Sequence, residues 1–250
     1  MALNRIIARL DIKQERLIKG MHLEGWRFLP DTPQKYCANY YEQGIDEIIY
    51  VDVVASLYGR DKLTEIVRQT TDHVFVPLTA GGGVRSLADA TDLLRSGADK
   101  VAVCTGAIKD PQLITDISRR YGAQCCVVSI QAKKNVNGWD AYYDIGRENS
   151  GRSVVDWAQE AVELGAGEIL LTSIDREGTR KGFDLALIEA VSSKVSVPVI
   201  ASGGLGSPEH AAQAFKSGAD AVAVAYALHY GITSIQAIKE YCRNAGIPLR

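Results

Sequence analysis

The chain has 250 residues, 46% of them hydrophobic and 23% charged, with a formal net charge of −2. That length supports one large globular domain with an ample core. The even balance, with no run of like charges, gives no electrostatic footing for a nucleic-acid or membrane-surface role. No apolar run approaches the roughly 18 residues needed to span a bilayer. The start, Met1-Ala2-Leu3-Asn4-Arg5-Ile6-Ile7, meets charge too soon to read as a signal peptide. Cys37, Cys104, Cys125, Cys126 and Cys242 are odd in number and lack metal-type spacing. Reduced thiols in a cytoplasmic protein are expected, with no metal and no cofactor. Cys125 and Cys126 are expected on one strand, facing opposite ways.

In chain order, short apolar runs alternate with helical patterns. Strand candidates lie at 6–10, 47–51, 76–79 and 100–103, then at 126–130, 168–171, 198–201 and 221–224. Their Val, Ile, Leu and Ala run without polar alternation, which marks strands buried on both faces of a parallel sheet. Helical patterns such as 86–96 and 208–217 separate them. Ser86 and Ser207 suit N-caps, Pro208 the first helical turn, and Gly97 and Gly218 the stop. The segment from Asp11 to Pro33 is long and lacks clear internal structure, as lids often do. Asn137-Gly138 signals a tight hairpin, an ornament near the functional end or ordinary surface.

The two halves repeat each other. Val74-Phe75-Val76-Pro77-Leu78-Thr79-Ala80-Gly81-Gly82-Gly83 answers Val195-Ser196-Val197-Pro198-Val199-Ile200-Ala201-Ser202-Gly203-Gly204. Arg95-Ser96-Gly97-Ala98-Asp99 answers Lys216-Ser217-Gly218-Ala219-Asp220. About half the positions over roughly 30 are identical, far above chance. The halves meet near Tyr121-Gly122, giving 1–121 and 122–250. Each reads as strand–helix four times, the measure of a (β/α)8 TIM barrel. A doubly wound sheet would leave open edges and give no reason for the repeat.

In such barrels chemistry sits where the strands end. The ends here present Asp11, Asp52, Gly82-Gly83, Cys104-Thr105, Gln131, Thr172, Ser202-Gly203-Gly204 and Ala225-Tyr226. Glycine lets backbone N–H groups approach an anion. Two phosphate sites are expected, Gly82 and Gly83 with Cys104 and Thr105, and Gly203 and Gly204 with Ala225 and Tyr226. Turn-making alone is the other reading of these glycines. Arg5, Glu47, Lys100 and Glu168 each stand at a strand start. They could pair in a ring across the lower opening, or each could face solvent, which spacing alone favours.

These motifs resemble the cyclase subunit of imidazole glycerol phosphate synthase, over essentially the whole chain. The resemblance is carried by Leu10-Asp11-Ile12-Lys13, Gly81-Gly82-Gly83-Val84-Arg85-Ser86, Gly97-Ala98-Asp99-Lys100-Val101 and, most specifically, Leu171-Thr172-Ser173-Ile174-Asp175-Arg176-Glu177-Gly178-Thr179. It implies a barrel of the ribulose-phosphate-binding type for a substrate with two phosphates. It also implies a glutaminase partner docked at the barrel bottom as a heterodimer. Ammonia from that partner would cleave a ribulosyl aminoimidazole-carboxamide nucleotide and close an imidazole ring. Asp11 would be one of two general acid/base aspartates. Lys19, Asp52, Thr172, Asp175, Gly178, Ser202 and the phosphate glycines would bind substrate. Arg5, Glu47, Lys100 and Glu168 would gate the ammonia path, against the solvent-facing reading.

The departures lie at the mouth. Gln131 stands where the second aspartate is expected, and an amide cannot act as general acid or base. Cys104 replaces an asparagine beside the substrate. Arg9, two positions before Asp11 and on the same side of its strand, replaces a small residue and brings a bulky cation to the barrel. Tyr226 replaces a small residue in the second phosphate site. Three readings follow. The first, favoured on Gln131, is a relative that supplies ammonia for amidation of a surface-polysaccharide sugar, beside a sugar amidotransferase. The second is a working cyclase of histidine biosynthesis. The third is a non-catalytic phosphate-binding barrel. Asp11 has a structural alternative, since a strand-end Asp can simply bond loop N–H groups.

Overall fold

The computed structural model describes residues 3–54 and 61–250, the side chains of residues 61 and 62 apart. Met1 and Ala2, at the head of the N-terminal segment, lie outside the described residues. In chain order the elements are β1 (Arg5–Lys13), β2 (Arg16–Met21), β3 (Glu24–Phe28), α1 (Pro33–Glu42), β4 (Glu47–Asp52) and α2 (Asp61–Thr71). Next come β5 (Leu78–Gly81), α3 (Leu87–Arg95), β6 (Lys100–Val103), α4 (Thr105–Lys109) and α5 (Gln112–Tyr121). The second half supplies β7 (Cys126–Asn135), β8 (Gly138–Tyr143), β9 (Glu148–Ser153), α6 (Val154–Glu163) and β10 (Glu168–Ser173). It ends with α7 (Leu185–Ser192), β11 (Val199–Ser202), α8 (Pro208–Lys216), β12 (Ala221–Val224), α9 (Tyr226–His229) and α10 (Ile235–Asn244).

Parallel pairing runs β1–β4–β5–β6–β7–β10–β11–β12, and β12 pairs again with β1. The ring is closed, so this is a (β/α)8 barrel with no free edge to protect. Each strand is buried on both faces, as the unbroken apolar runs require. One face of β1 sends Ile6 and Ala8 toward the helices, in the large core. The other sends Ile7 into the barrel, to meet Ile49, Ala102, Val127, Leu170, Ile200 and Ala223.

The sequence repeat returns as repeated geometry. Leu78 N–H donates to Asp99 Oδ2 at 2.8 Å, and Val199 N–H to Asp220 Oδ2 at 2.9 Å. The aspartate of each Gly-Ala-Asp motif thus fastens the start of a neighbouring strand. Ser86 and Ser207 cap α3 and α8 with the same backbone, φ −145° in both, and each forms a capping box.

Two expectations change. The 11–33 segment is not structureless: β2 pairs antiparallel with β1, and β3 with β2. Its apolar side chains are too few and too scattered to show a period of two in sequence. Cys125 closes a short 3-10 turn, and only Cys126 enters β7. The Asn137-Gly138 hairpin is present, with Asn135 opposite Gly138 and β9 added beyond β8.

Candidate functional site

The upper end of the barrel holds a buried ionic network. Asp11, near the end of β1, accepts from Arg9 Nε at 3.0 Å and from Lys19 Nζ at 3.1 Å. Lys19, on β2, also bonds Glu177. All four are buried, Lys19 and Glu177 each only 3% exposed. Burial pushes the Asp11 carboxyl up, but Arg9 and Lys19 together hold it well below the usual carboxylate range. Burial opposes the charge on Lys19, and Glu177 with Asp11 outweighs it, so the amine stays charged. Glu177 was not singled out in the sequence, although it sits inside the most specific motif. Its partner is 158 positions away, and no local pattern reports such a contact.

Arg9 enters the barrel, as its place on β1 implies. Its Nη1 donates to Thr172 Oγ1 at 2.9 Å and to Ser202 Oγ at 3.1 Å. Gln131 lies beside Thr172 in the β7–β10 register. Its Oε1 is buried and has no hydrogen-bond partner among the described residues.

A cavity of about 90 Å³ opens above this network. It is small beside the roughly 300–1,000 Å³ usual for ligand sites. Of the residues singled out in the sequence, Asp11, Lys19, Asp52, Gly82, Gly83, Cys104, Thr105 and Gln131 line it, together with Arg9. Trp26 and Leu23 of the β2–β3 hairpin, Asp144, Ile145 and Glu177 line it too, and none of them was singled out as a site residue in the sequence. Asp52 accepts from Val54 N–H at 2.9 Å, and Thr105 Oγ1 accepts from Asp144 N–H at 3.1 Å. Burial pushes the Cys104 thiol up to about 12, with Arg9 opposing, so it is not a thiolate near neutral pH.

The remaining expected residues lie outside this cavity. Asp175 accepts from Lys134 N–H at 2.8 Å, toward the β7–β8 hairpin. Gly178 packs on the first-half hairpin: a Cβ there would meet Gly20 O at 2.7 Å. The hairpin is tied on the same side, for His22 N–H donates to Glu177 O at 3.0 Å. It therefore crosses the mouth from the first half to the second. Gly203 and Gly204 pack on Ser173 O and Gly182 O. Ala225 is the N-cap of α9, and Tyr226 packs tilted against Tyr230, ring centroids 4.5 Å apart, with the Arg180 guanidinium 5.7 Å from its ring.

At the opposite end four charges form a ring. Arg5 Nη1 lies 2.7 Å from Glu47 Oε1 and 3.0 Å from Glu168 Oε1. Lys100 Nζ lies 3.2 Å from Glu47 Oε2 and 3.0 Å from Glu168 Oε1. The side chains are 6–15% exposed, so the solvent-facing reading fails. Register explains the ring: the four residues open β1, β4, β6 and β10 and point to one axis.

Residues 5–234 match the family model described as "Histidine biosynthesis protein". A protein of Legionella pneumophila is 62% identical over 206 residues, 82% of this chain and 97% of its own length. One of Myxococcus xanthus is 47% identical over 251 residues, 100% of this chain and 99% of its own. One of Streptococcus sanguinis is 46% identical over 248 residues, 98% of each. All three bear the name imidazole glycerol phosphate synthase subunit HisF. The chain belongs to the HisF family. The resemblance drawn from its motifs is thereby established at the family level. Among the described residues no cluster of His, Cys, Asp or Glu is placed to hold a metal. Nor is any helix among the described residues long and apolar enough to cross a membrane.

Proposed function

We propose that this HisF-family barrel is the synthase-side subunit of a glutamine-dependent pair. A glutaminase docks at the lower opening as the heterodimer partner, and its ammonia passes the ring and the apolar layer to the mouth. The observation that carries this reading is the ring of Arg5, Glu47, Lys100 and Glu168. Buried charges are costly to retain without use, and these four flank the axial opening that a small neutral molecule would enter.

For the fate of the nitrogen, the names of the relatives favour ring closure to imidazole glycerol phosphate. In that reading Asp11 is the remaining acid/base group. Gly82 and Gly83 with Cys104 and Thr105, and Gly203 and Gly204 with Ala225 and Tyr226, hold the two phosphates of the substrate. Lys19, Asp52, Thr172, Asp175, Gly178 and Ser202 assist. The cost is the missing carboxylate at 131: loss of a positioned acid/base group typically slows turnover by about 10²–10⁴-fold.

A specific observation favours a second reading. Arg9 and Gln131 alter the centre of the mouth while the ring below is intact. A barrel that passes ammonia on for amidation of a surface-polysaccharide sugar, beside a sugar amidotransferase, needs the ring and not the second carboxylate.

One experiment separates the readings. The purified chain is given the ribulosyl aminoimidazole-carboxamide nucleotide and ammonium chloride. Turnover at the rate of an ordinary cyclase supports the first reading. Absence of turnover, with the barrel still stimulating glutamine hydrolysis by a co-purified glutaminase, supports the second. Failure to associate with any glutaminase would sink both.

A further inference from the structure

We propose that Arg9 is the specificity-determining residue of the mouth, filling the centre where the two halves meet and holding Asp11, Thr172 and Ser202 in place of a substrate. The inference rests on the second reading above, in which the mouth no longer closes an imidazole ring.

β1 places Ile7 in the apolar layer inside the barrel. Arg9, two residues on and on the same side, enters one layer higher, where the side chains become polar. A guanidinium there is expensive unless it is paired and hydrogen-bonded. The partners come from three strands and both halves: Asp11 of β1, Thr172 of β10 and Ser202 of β11. These are among the groups the ring-closing reading assigns to acid/base work and substrate binding. Arg9 lines the cavity, whereas Thr172 and Ser202 do not. The guanidinium occupies both hydroxyls by hydrogen bonds, and a ligand entering from the cavity must displace a 5%-exposed arginine to bond them.

Two changes then act on different quantities. Arg9 governs access to the centre. Gln131, which has lost the titratable group but still faces the cavity, governs chemistry there. Restoring the carboxylate alone leaves the centre occupied. Removing the arginine alone leaves it open but without its second acid/base group.

The test uses the full chain in four forms: wild type, Arg9→Ala, Gln131→Asp and the double variant. Calorimetry reads affinity for the ribulosyl aminoimidazole-carboxamide nucleotide, and turnover is read with ammonium chloride. Arg9→Ala should tighten binding by about tenfold or more, without turnover. Gln131→Asp alone should stay at least about 10²-fold below the double variant in turnover, because the guanidinium still fills the centre. The double variant should turn over about 10²-fold or more faster than either single variant. Arg9→Lys, which keeps a cation in place, should rescue nothing. If Arg9→Ala does not fold by circular dichroism, Arg9→Gln takes its place. Unchanged affinity in a folded, uncharged variant, with an inactive wild type, overturns the inference alone. So does a Gln131→Asp variant as active as the double one. Wild-type turnover at the double variant's rate overturns the second reading and the inference with it.

Discussion

Asp11 and His229 show how far burial and charge move single groups in this barrel. Asp11 is held ionised by Arg9 and Lys19, and so strongly paired a carboxylate is a weak proton acceptor. Family-type general-base work at Asp11 would first require one of those cations to move. His229 lies against the network from outside β1. Its Nδ1 shares a hydrogen bond of 2.7 Å with Tyr40 Oη, and its ring stacks on Tyr40. Burial first, then Lys19, lowers its pKa to about 3, with Asp11 and the Arg9 backbone opposing. The unfolded chain takes up that proton near pH 6.5. Between about pH 6.5 and 3 the unfolded state therefore binds more protons, and folding stability rises with pH. This one group should cost about 1.4 kcal/mol for each unit of acidification in that window. Urea unfolding at pH 6.0 and 4.5 should show the loss, and His229→Gln, which cannot titrate, should flatten it by about one proton's worth. An unaltered slope in the variant would mean that the native imidazole is already charged.

At the scale of elements, the glycine turns carry two demands at once. Gly82 has φ +112°, and a Cβ on it would lie 2.2 Å from Asp52 O. Gly204 also has φ +112°, with Gly182 O 2.2 Å from the same point. Neither site can accept alanine without moving backbone. Gly82→Ala and Gly204→Ala should each destabilise by about 1–3 kcal/mol, measured as a shift in the thermal midpoint without ligand. A neutral effect would show that the turns relax freely and that glycine is kept there for a ligand alone. Much of this was legible in sequence because the repeat marked it twice: the strands, the capped helices and the glycine turns all appear in both halves. Residues that act once were harder to read. The β2–β3 hairpin has no counterpart in a periodic pattern. Trp26 reaches the cavity only because that hairpin folds over the mouth. Arg9 was legible as a cation on the inward side of β1. Its partners Thr172 and Ser202 were not, because they are 163 and 193 positions away.

At the scale of the whole molecule, the barrel axis passes through three layers of different chemistry. A charged ring closes the bottom, an apolar layer follows, and the Arg9 network closes the top. The order suits neutral ammonia: the apolar layer excludes ammonium, because an ion without a partner there faces a desolvation cost of several kcal/mol. Under the proposed function, the ring would admit ammonia without letting water flood the layer above. In it Glu47 and Glu168 are each shared between Arg5 and Lys100. Lys100→Met removes one cation and leaves both carboxylates to share Arg5, which already bonds each of them, with the Arg250 guanidinium 3.9 Å from Glu47 as the next nearest cation. Because these side chains are recessed, the rim that a partner would grip is little changed. In the glutaminase-bound barrel, association should stay within a few-fold, whereas nitrogen transfer driven by glutamine should fall by about tenfold. Transfer driven by external ammonium chloride, which enters from the mouth, should be nearly unaffected. The ratio of the two rates is the readout, since a general loss of fold or of mouth chemistry lowers both together. An equal fall in both would remove the ring from the ammonia path and leave it a structural brace at the barrel floor.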